Sequence, residues 1–564
     1  MASGALLLAN AGSCSPAVCG RWGVKCSSAV SHGRLIWSRM KDASFVRCAY
    51  GQRRAVAELS KDVVAVSMGG EGQKGWVHFV GIGGYGLSAL AMLARKQGFE
   101  VSGSDINWNI RMDDLHNAGV NVYLGHSIAC LENKTAGKPP DAIIISSSIP
   151  KDNEEVLHAE SMGTPIYKRD SWLQKITEHY NLIAIAGTHG KSTTTAMLSY
   201  VLNAMGDDLI AVIGANVPQL SEGNIIPGNG PNFVLEADEY DCCFLGLSPS
   251  IAVVTNVEWE HVDLFDDEEH VRSIFRKFVQ QIKSGGHLIL CGDGAGAYSL
   301  LRDCKPKNLA SKGISPSTLV SDAGHSVTTY GLSSKMDWRA SSITPNSQGG
   351  QDYILLHKDC PIAEVSLRLP GDHNVLNSLA VIATISNLMK DGDNVYDTID
   401  SVKYHLSKFE GISRRFDFIG EVNGCRVYED YAHHPTEVRA TLQAARQQFP
   451  FQPLWVVFQA HSFSRIAALM KDFSTSFNYA DYVIVTEVYS PREKDEGKDY
   501  GMELATTISG PASEYIPKMV DVLEKLVHDI SARRNEETVV FTIGTNNEMA
   551  ALGPKLLRRL QEIS

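Results

Sequence analysis

The 564-residue sequence has no run of 18 consecutive apolar residues, so it predicts no transmembrane helix. It has 11 cysteines but no CxxC pair, which argues against a zinc site or a disulfide framework and makes reduced thiols the default expectation. No internal repeat of fixed short period is visible. These absences exclude membrane-spanning, disulfide-stapled and repeat architectures.

Positive charge is scarce in residues 51–564, which contain 46 Lys and Arg against 63 Asp and Glu. Broad nucleic-acid binding depends on basic patches and is therefore not expected. Hydrophobic residues at 44% and charged residues at 21% are typical of a soluble enzyme. The length predicts three or four domains.

Residues 1–50 have the opposite character, with six Lys and Arg, eight Ser and a single acid, Asp42. A basic, Ser-rich, acid-poor leader is typical of an organelle transit peptide. Plastid is favoured over mitochondrion because Ser outnumbers Arg and no Arg-rich amphipathic helix is visible, and residues 46–49 resemble a plastid processing site. The alternative is a disordered tail without a targeting role.

Strands and helices alternate along the rest of the chain, which predicts α/β folding with parallel sheets. Three blocks are expected, at 72–180, 181–408 and 409–564. The Ser-, Gly- and Lys-rich stretch 303–350 predicts a small antiparallel or irregular insert in the second block.

A first glycine-rich turn, Gly81-Ile-Gly-Gly-Tyr-Gly86, lies between a predicted strand and a predicted helix, and Asp105 follows the next strand. This pattern indicates a phosphate-bearing ligand at a helix N-terminus, with the acid near a ribose, but it does not choose NAD over another nucleotide. The alternative is a tight turn without a ligand.

A second turn, Gly187-Thr-His-Gly-Lys-Ser192, follows an apolar strand. It departs from the full Walker loop because Ile185 stands where the first glycine would be. It still predicts ATP binding: backbone N–H groups face the phosphates, Lys191 adds positive charge and Ser192 offers a hydroxyl to Mg²⁺. A glycine-rich turn with a lysine that reaches solvent is the alternative.

Two acidic clusters follow later strands, at 236–241 and 258–263. Hard oxygen ligands suit Mg²⁺, and a second Mg²⁺ accepts an imidazole. We therefore predict a metal site formed by Ser192, Glu236 and His261, with solvated loops as the alternative.

The order of the motifs resembles the Mur ligases of peptidoglycan synthesis, and within that family the type that joins L-alanine to UDP-N-acetylmuramate. The resemblance runs from about residue 76 to near the C-terminus. It rests on both glycine-rich turns and on nine shorter matches: Ser102–Asp105, Glu236–Glu239, Thr255–Glu258, His261, Gly371–Asn377, Gly411–Phe416, Asp430–Glu437, Phe458–His461 and Arg465.

The resemblance implies a three-domain α/β fold: a Rossmann-like UDP-binding domain, a central P-loop ATPase domain and a Rossmann-like C-terminal domain. It implies that UDP, rather than NAD, occupies the first turn, at Gly83, Gly84, Tyr85, Gly86, Ser104 and Asp105. It places ATP at Gly187, Thr188, His189, Gly190, Lys191, Ser192, Thr193, His373, Asn374 and Asp430. Substrate and amino acid would meet at Arg415, His434, His461 and Arg465, and the catalytic residues would be Lys191, His261, Arg415 and His434.

The implied reaction is ATP-dependent ligation of L-alanine to UDP-N-acetylmuramate through an acyl phosphate, with Mg²⁺. The chain departs from the family pattern at three places: Tyr240 replaces the usual Ser, Ala460 replaces Pro, and residues 544–547 replace a Gly-Ala-Gly-Asp stretch. In addition, the bulky Trp259 stands near His261 in the sequence. These departures leave open a catalytically altered plastid scaffold. A related ligase with another amino-acid or peptide acceptor is a further alternative. An NAD-dependent enzyme would leave the Lys191 loop unexplained, and a folate-type ligase would lack the first turn.

Overall fold

The computed structural model describes residues 75–563 except 133–137, 147, 307–318, 322–323, 390–393, 492, 495–496 and 534–535. The expected transit peptide lies outside the described residues. Three β-sheets succeed one another along the described chain, and each carries helices. This agrees with the predicted α/β class; the exact domain boundaries stay predictions.

The first sheet is fully parallel, with strand order β3-β2-β1-β4-β5. All five residues of the first strand are buried, as expected for a parallel strand covered on both faces. The strands are β1 Trp76–Val80, β2 Glu100–Asp105, β3 Asn121–Leu124, β4 Ala142–Ile145 and β5 Ile166–Lys168. The helices are α1 Tyr85–Lys96, α2 Ile110–Asn117, α3 Glu154–Met162 and α4 Arg169–Thr177.

The second sheet contains 12 strands. Its parallel part comprises β6 Asn181–Ala186, β7 Ile210–Val212, β9 Asn232–Glu236, β10 Ile251–Val254, β11 His287–Cys291 and β14 Ser326–Gly331, and the short strand β8 Ile225–Pro227 pairs antiparallel with β7. Its helices are α5 Lys191–Ala204, α6 Glu268–Gln280, α7 Ala295–Tyr298, α8 Asp372–Leu388 and α9 Val395–Leu406. Strands β10, β6 and β9 are adjacent, so the loops after them open at one edge of the sheet.

The stretch 303–350 is part of this sheet, and its residues 307–318 and 322–323 lie outside the described part. Strand β14 pairs parallel with β11, as a member of the main sheet. Antiparallel pairing joins β12 Cys304–Pro306 to β13 Leu319–Ser321 and β13 to β14. It also joins β15 Trp338–Pro345 to β16 Gln351–His357, and β16 to β17 Cys360–Leu367. The antiparallel character is therefore as expected, but it continues past residue 350 and extends the central sheet.

The third sheet has the order β18-β19-β23-β20-β21-β22, and only the β18–β19 pair is antiparallel. Its strands are β18 Asp417–Val422, β19 Cys425–Asp430, β20 Leu454–Phe458, β21 Tyr482–Val485, β22 Ala512–Tyr515 and β23 Thr538–Ile543. Its helices are α10 Pro435–Gln448, α11 Phe463–Ser476, α12 Tyr500–Thr507, α13 Met519–Ala532 and α14 Asn547–Glu562. Within the described part of the chain, no helix combines the length and apolarity needed to span a bilayer.

Candidate active site

The loop between β6 and α5 is shaped by two glycines. Gly187 has φ +136°, and a Cβ there would stand 2.1 Å from Thr255 Oγ1. Gly190 has φ +80° and directly precedes α5. Only glycine adopts the first conformation without strain, so the loop brings bare backbone to the N-terminus of α5, as anion binding requires.

Lys191 is held at this loop by three contacts. Its Nζ donates to Gly187 O at 2.5 Å, Thr188 O at 3.1 Å and Glu239 Oε1 at 2.9 Å. Burial opposes the charged ammonium, but Glu239 and Asp238 outweigh it and raise the pKa of Lys191. The loop therefore carries a fixed positive charge.

Ser192 and Glu236 meet at the carboxyl edge of the sheet. Ser192 Oγ donates to Glu236 Oε1 at 2.8 Å, and Gly214 N donates to Oε2 at 2.6 Å. Burial raises the pKa of Glu236 despite nearby Lys191. A neighbouring cation would relieve this cost of burying the carboxylate.

His261 approaches the same acids from the loop after β10. Its Nε2 lies 3.5 Å from Glu239 Oε1, and Glu239 Oε2 is buried without a hydrogen-bond partner among the described residues. A hydroxyl, carboxylate oxygens and one imidazole make a donor set that fits a hard divalent ion. The side chains predicted to bind Mg²⁺ therefore line one cleft.

The second and third domains meet at His189. This imidazole lies 3.6 Å from Glu258 Oε2 and 3.4 Å from Glu437 Oε1. Burial disfavours its protonation, but Glu258 and Glu437 raise the pKa of His189 to about 9. Across the boundary, Thr436 Oγ1 donates to Glu258 Oε2 at 2.6 Å.

His434 stands at the start of α10, where its Nδ1 accepts from Thr436 N at 3.3 Å. Its ring centroid lies 4.6 Å from that of His189. Burial and the neighbouring His189 lower the pKa of His434. The ring thus serves as a helix cap and as a domain contact.

Two arginines of the third domain are paired with buried acids. Arg415 donates to Glu437 Oε1 at 3.0 Å. Burial opposes the Glu437 carboxylate, but Arg415 and the histidines outweigh it and hold the pKa of Glu437 well below its usual range. Arg465 is paired with Glu260 and donates to His461 O at 2.8 Å.

His373 and Asn374 begin α8, and both line the cleft. Burial lowers the pKa of His373 to about 4, so its imidazole is neutral. Asp430 lines the same cleft at the end of β19 and accepts from Phe416 N and Ala432 N, both at 2.8 Å. Burial raises the pKa of Asp430 to about 6 despite Arg415.

The first glycine-rich turn is held by hydrogen bonds within the first domain. Gly83 N donates to Asp105 Oδ2 at 2.9 Å, and Gly83 O accepts from Arg111 Nε at 2.6 Å. Ser104 is fully buried and donates to Glu155 Oε2 at 2.6 Å. Asp105 therefore fixes the turn itself, and the Ser104 hydroxyl belongs to a buried network.

A cleft of about 890 Å³ collects most of the predicted residues. It is lined by Gly86, Thr188, His189, Gly190, Lys191, Ser192, Thr193, Glu236, His261, His373, Asn374, Arg415 and Asp430. Eight predicted residues lie off this lining: Gly83, Gly84, Ser104, Asp105, Gly187, His434, His461 and Arg465. The backbone of Tyr85 begins α1, and its side chain lies outside the described part.

Three lining residues have partners that the sequence did not show. Arg169 begins α4 of the first domain, and its guanidinium donates to Asp238 Oδ2 at 3.1 Å in the second domain. Glu260 lies in the acidic cluster 258–263 and pairs with Arg465 of the third domain. Glu437 lies in the motif Asp430–Glu437 and contacts Arg415 of its own domain and His189 of the second.

Three family models match the chain in order. "Mur ligase family, catalytic domain" matches residues 76–181, "Mur ligase middle domain" matches 185–385, and "Mur ligase, glutamate ligase domain" matches 414–546. The matches follow the three sheets.

Curated relatives match over nearly their whole length. UDP-N-acetylmuramate–L-alanine ligase of Frankia casuarinae is 39% identical, over 86% of this chain and 97% of the relative. The enzyme of the same name from Alkaliphilus metalliredigens is 37% identical, over 84% and 95%. The crystal structure of UDP-N-acetylmuramate-alanine ligase MurC from Thermotoga maritima is similar with a TM-score of 0.68 at 27% identity, over 87% of this chain and all of that one. Three domain matches in order, a shared fold and this identity over almost the full length of the relatives place the chain in the Mur ligase family.

Proposed function

We propose that this protein is an ATP-dependent ligase that joins L-alanine to UDP-N-acetylmuramate in peptidoglycan precursor synthesis. The observation that carries the proposal is the single cleft in which the Lys191 loop of the second domain faces Arg415 and Asp430 of the third. The relatives that match over nearly their full length are named for that reaction.

The proposed reaction has two displacements. A carboxylate oxygen of UDP-N-acetylmuramate attacks the γ-phosphorus of ATP, ADP leaves, and an acyl phosphate forms. The L-alanine amine then attacks the acyl carbon, the C–O bond to phosphate breaks, and the amine loses a proton as the amide forms. Such a sequence depends on positioning and on stabilisation of developing charge.

The chain supplies those effects with few groups. The Lys191 ammonium, fixed beside the helix N-terminus, stabilises charge on the transferred phosphoryl group. Mg²⁺, held by Ser192, Glu236 and His261, would neutralise phosphate charge when bound. Neutral His373 with Asn374 offers an adenine contact, and Arg415 contributes fixed positive charge from the facing domain.

The departures from the family pattern have structural roles that leave this machinery in place. The Tyr240 ring packs edge-on against His261, with centroids 5.0 Å apart. Trp259 Nε1 donates to Phe265 O at 2.9 Å, and Ala460 is buried in the third-domain core. The carbonyls of residues 544–546 accept from Arg414. A scaffold without activity is therefore the weaker alternative.

The test is phosphate release from ATP by the purified full-length chain, with UDP-N-acetylmuramate and a panel of amino acids and short peptides. We expect release that depends on UDP-N-acetylmuramate and is greatest with L-alanine. Release with another acceptor would identify a related ligase instead. If no member of the panel supports phosphate release, while calorimetric titration still shows ATP binding, the protein is the catalytically altered scaffold.

We further propose that residues 1–50 direct the protein to the plastid stroma. The basic, acid-poor composition supports this, and the family match begins only at residue 76. Import into isolated chloroplasts with shortening of the chain is expected for the full sequence and not for residues 51–564. Import of both, or of neither, would contradict the proposal.

A further inference from the structure

A cluster separate from the predicted Mg²⁺ ligands lies at the boundary between the second and third domains. One nitrogen each of His189 and His434 and one oxygen of Glu258 lie within 4.8 Å of one another. His189 comes from the phosphate loop, the turn 187–192 between β6 and α5. Glu258 comes from the loop after β10 and His434 from the start of α10. The three side chains are thus brought together only when the domains meet.

Unpartnered atoms point into this cluster. Nε2 of His189, Nε2 of His434 and Oε2 of Glu260 are all buried and have no hydrogen-bond partner among the described residues. His434 and Glu260 are each only 4% exposed, and those two atoms lie 3.9 Å apart. Buried polar atoms without hydrogen-bond partners are rare, and they indicate a place where a water or an ion binds.

The distances suit a small cation. Zinc bonds of about 2.0–2.2 Å to His and carboxylate place tetrahedral ligands ~3.4 Å from one another. The His189–Glu258 separation is 3.6 Å, and the His434–Glu260 separation is 3.9 Å. Small side-chain rotations would shorten both separations to that value. Because Nδ1 of His434 accepts from Thr436 N, Nε2 of the neutral ring carries the proton, which must move to Nδ1 before Nε2 can bind an ion.

The surrounding charge already holds one cation. Three carboxylates, from Glu258, Glu260 and Glu437, face the cluster, and two guanidiniums, Arg415 and Arg465, are paired with them. The His189 imidazolium, whose pKa is raised to about 9, balances the third carboxylate, so a divalent ion binds by displacing the His189 proton. Two imidazoles select a borderline ion such as Zn²⁺ over Mg²⁺.

We propose that His189, Glu258 and His434, with Glu260 beside them, form a second cation site that takes a borderline divalent ion such as Zn²⁺. The site is distinct from the Mg²⁺ ligands Ser192 and Glu236. Because its ligands come from two domains, the bound ion links the phosphate loop to the third domain and favours their closed arrangement.

Calorimetric titration of Zn²⁺ into the full chain, with excess Mg²⁺ and no nucleotide, tests the site. We expect one Zn²⁺ ion to bind tightly to each chain. In His434→Ala its affinity should fall roughly a hundredfold, the upper end of the loss found when a residue that only hydrogen-bonds to a metal ligand is changed. His433→Ala removes a ring 3.4 Å from Glu437 but no proposed ligand, and Ser192→Ala alters the Mg²⁺ site; both keep the affinity. Glu258→Gln serves as the second ligand variant if His434→Ala, which also loses the cap of α10, does not fold.

X-ray absorption of the zinc-loaded chain gives an independent readout. Two imidazoles with oxygen ligands are expected. Sulfur ligands would overturn the proposal, because they would place the ion at cysteines elsewhere. Equal losses in His434→Ala and His433→Ala, or no tight equivalent in the wild type, would overturn it as well.

Discussion

Lys191 is the side chain on which the proposed chemistry depends most. Its ammonium is fixed by two loop carbonyls and Glu239, so it needs little reorganisation as charge develops. We expect Lys191→Ala to lower kcat by roughly two to three orders of magnitude, as the loss of one preorganised charge-stabilising group does. Steady-state phosphate release measures this. Lys175→Ala removes an exposed lysine of the first domain and should leave kcat unchanged; unchanged turnover in Lys191→Ala would refute the role.

Glu155 makes the first domain sensitive to acid. Burial disfavours its carboxylate, but His78, Ser104 and Ser127 outweigh burial and lower the pKa of Glu155 below its ordinary 4.5. A lowered folded pKa means that the stabilisation is present above pH 4.5 and is lost as the pH falls below it.

The variant Glu155→Gln should therefore be less stable than wild type near neutral pH, by roughly 1.5–3 kcal/mol, the range for hydrogen bonds to a charged group. The difference should shrink on acidification below about pH 4.5. Melting midpoints across pH measure this. Glu154→Gln, on the exposed face of the same helix, should track the wild type throughout, and a pH-independent gap for Glu155→Gln would contradict the assignment.

Among the elements, the buried parallel strands were the most predictable. Runs such as 182–186 and 539–541 are continuously apolar because both faces of these strands are covered. The insert was harder, because β14 pairs parallel with β11 and β15 and antiparallel with β13. Its burial alternates at first and is then continuous. The sequence of a strand with partners of both kinds does not reveal its pairing direction.

The phosphate loop depends on Gly187 for space as well as for conformation. In Gly187→Ala the new Cβ would collide with Thr255 Oγ1 and crowd Asn256 N, so the loop must move. We expect a loss of at least ~1–3 kcal/mol of stability, the usual price of such backbone strain, together with loss of ATP binding. Thermal melting and calorimetric titration with ATP measure the two effects.

Gly163 provides the matched control, because it has φ +70° but nothing within 4 Å of a built Cβ. Gly163→Ala should lose only about 1 kcal/mol and bind ATP as the wild type does. Equal ATP affinity in both variants would show that the close approach at Gly187 is not required.

Across the molecule, the motifs anticipated many of the residues that line the cleft but not how they are paired. The Lys191 loop and Glu236 were predictable because they follow adjacent strands. Arg169, Glu260 and Glu437 were not assigned roles, since each contacts a residue of another domain. Asp105 and Ser104 hydrogen-bond inside the first domain, and their contact with a ligand stays a prediction. Sequence spacing thus describes each domain better than it describes their contacts.

The Arg465–Glu260 pair is almost fully buried between the second and third domains, with side chains only 6% and 4% exposed. Removal of one partner leaves the other charge buried, so Arg465→Met should destabilise the chain by about 3–5 kcal/mol. Differential scanning calorimetry should show the third domain melting earlier. The double variant Arg465→Met/Glu260→Gln should recover most of the loss, because no unpaired charge remains.

Arg559→Met, which breaks an exposed pair with Glu524, should cost under about 1 kcal/mol. If the double variant were as unstable as Arg465→Met, packing by the arginine stem rather than its charge would hold these domains together.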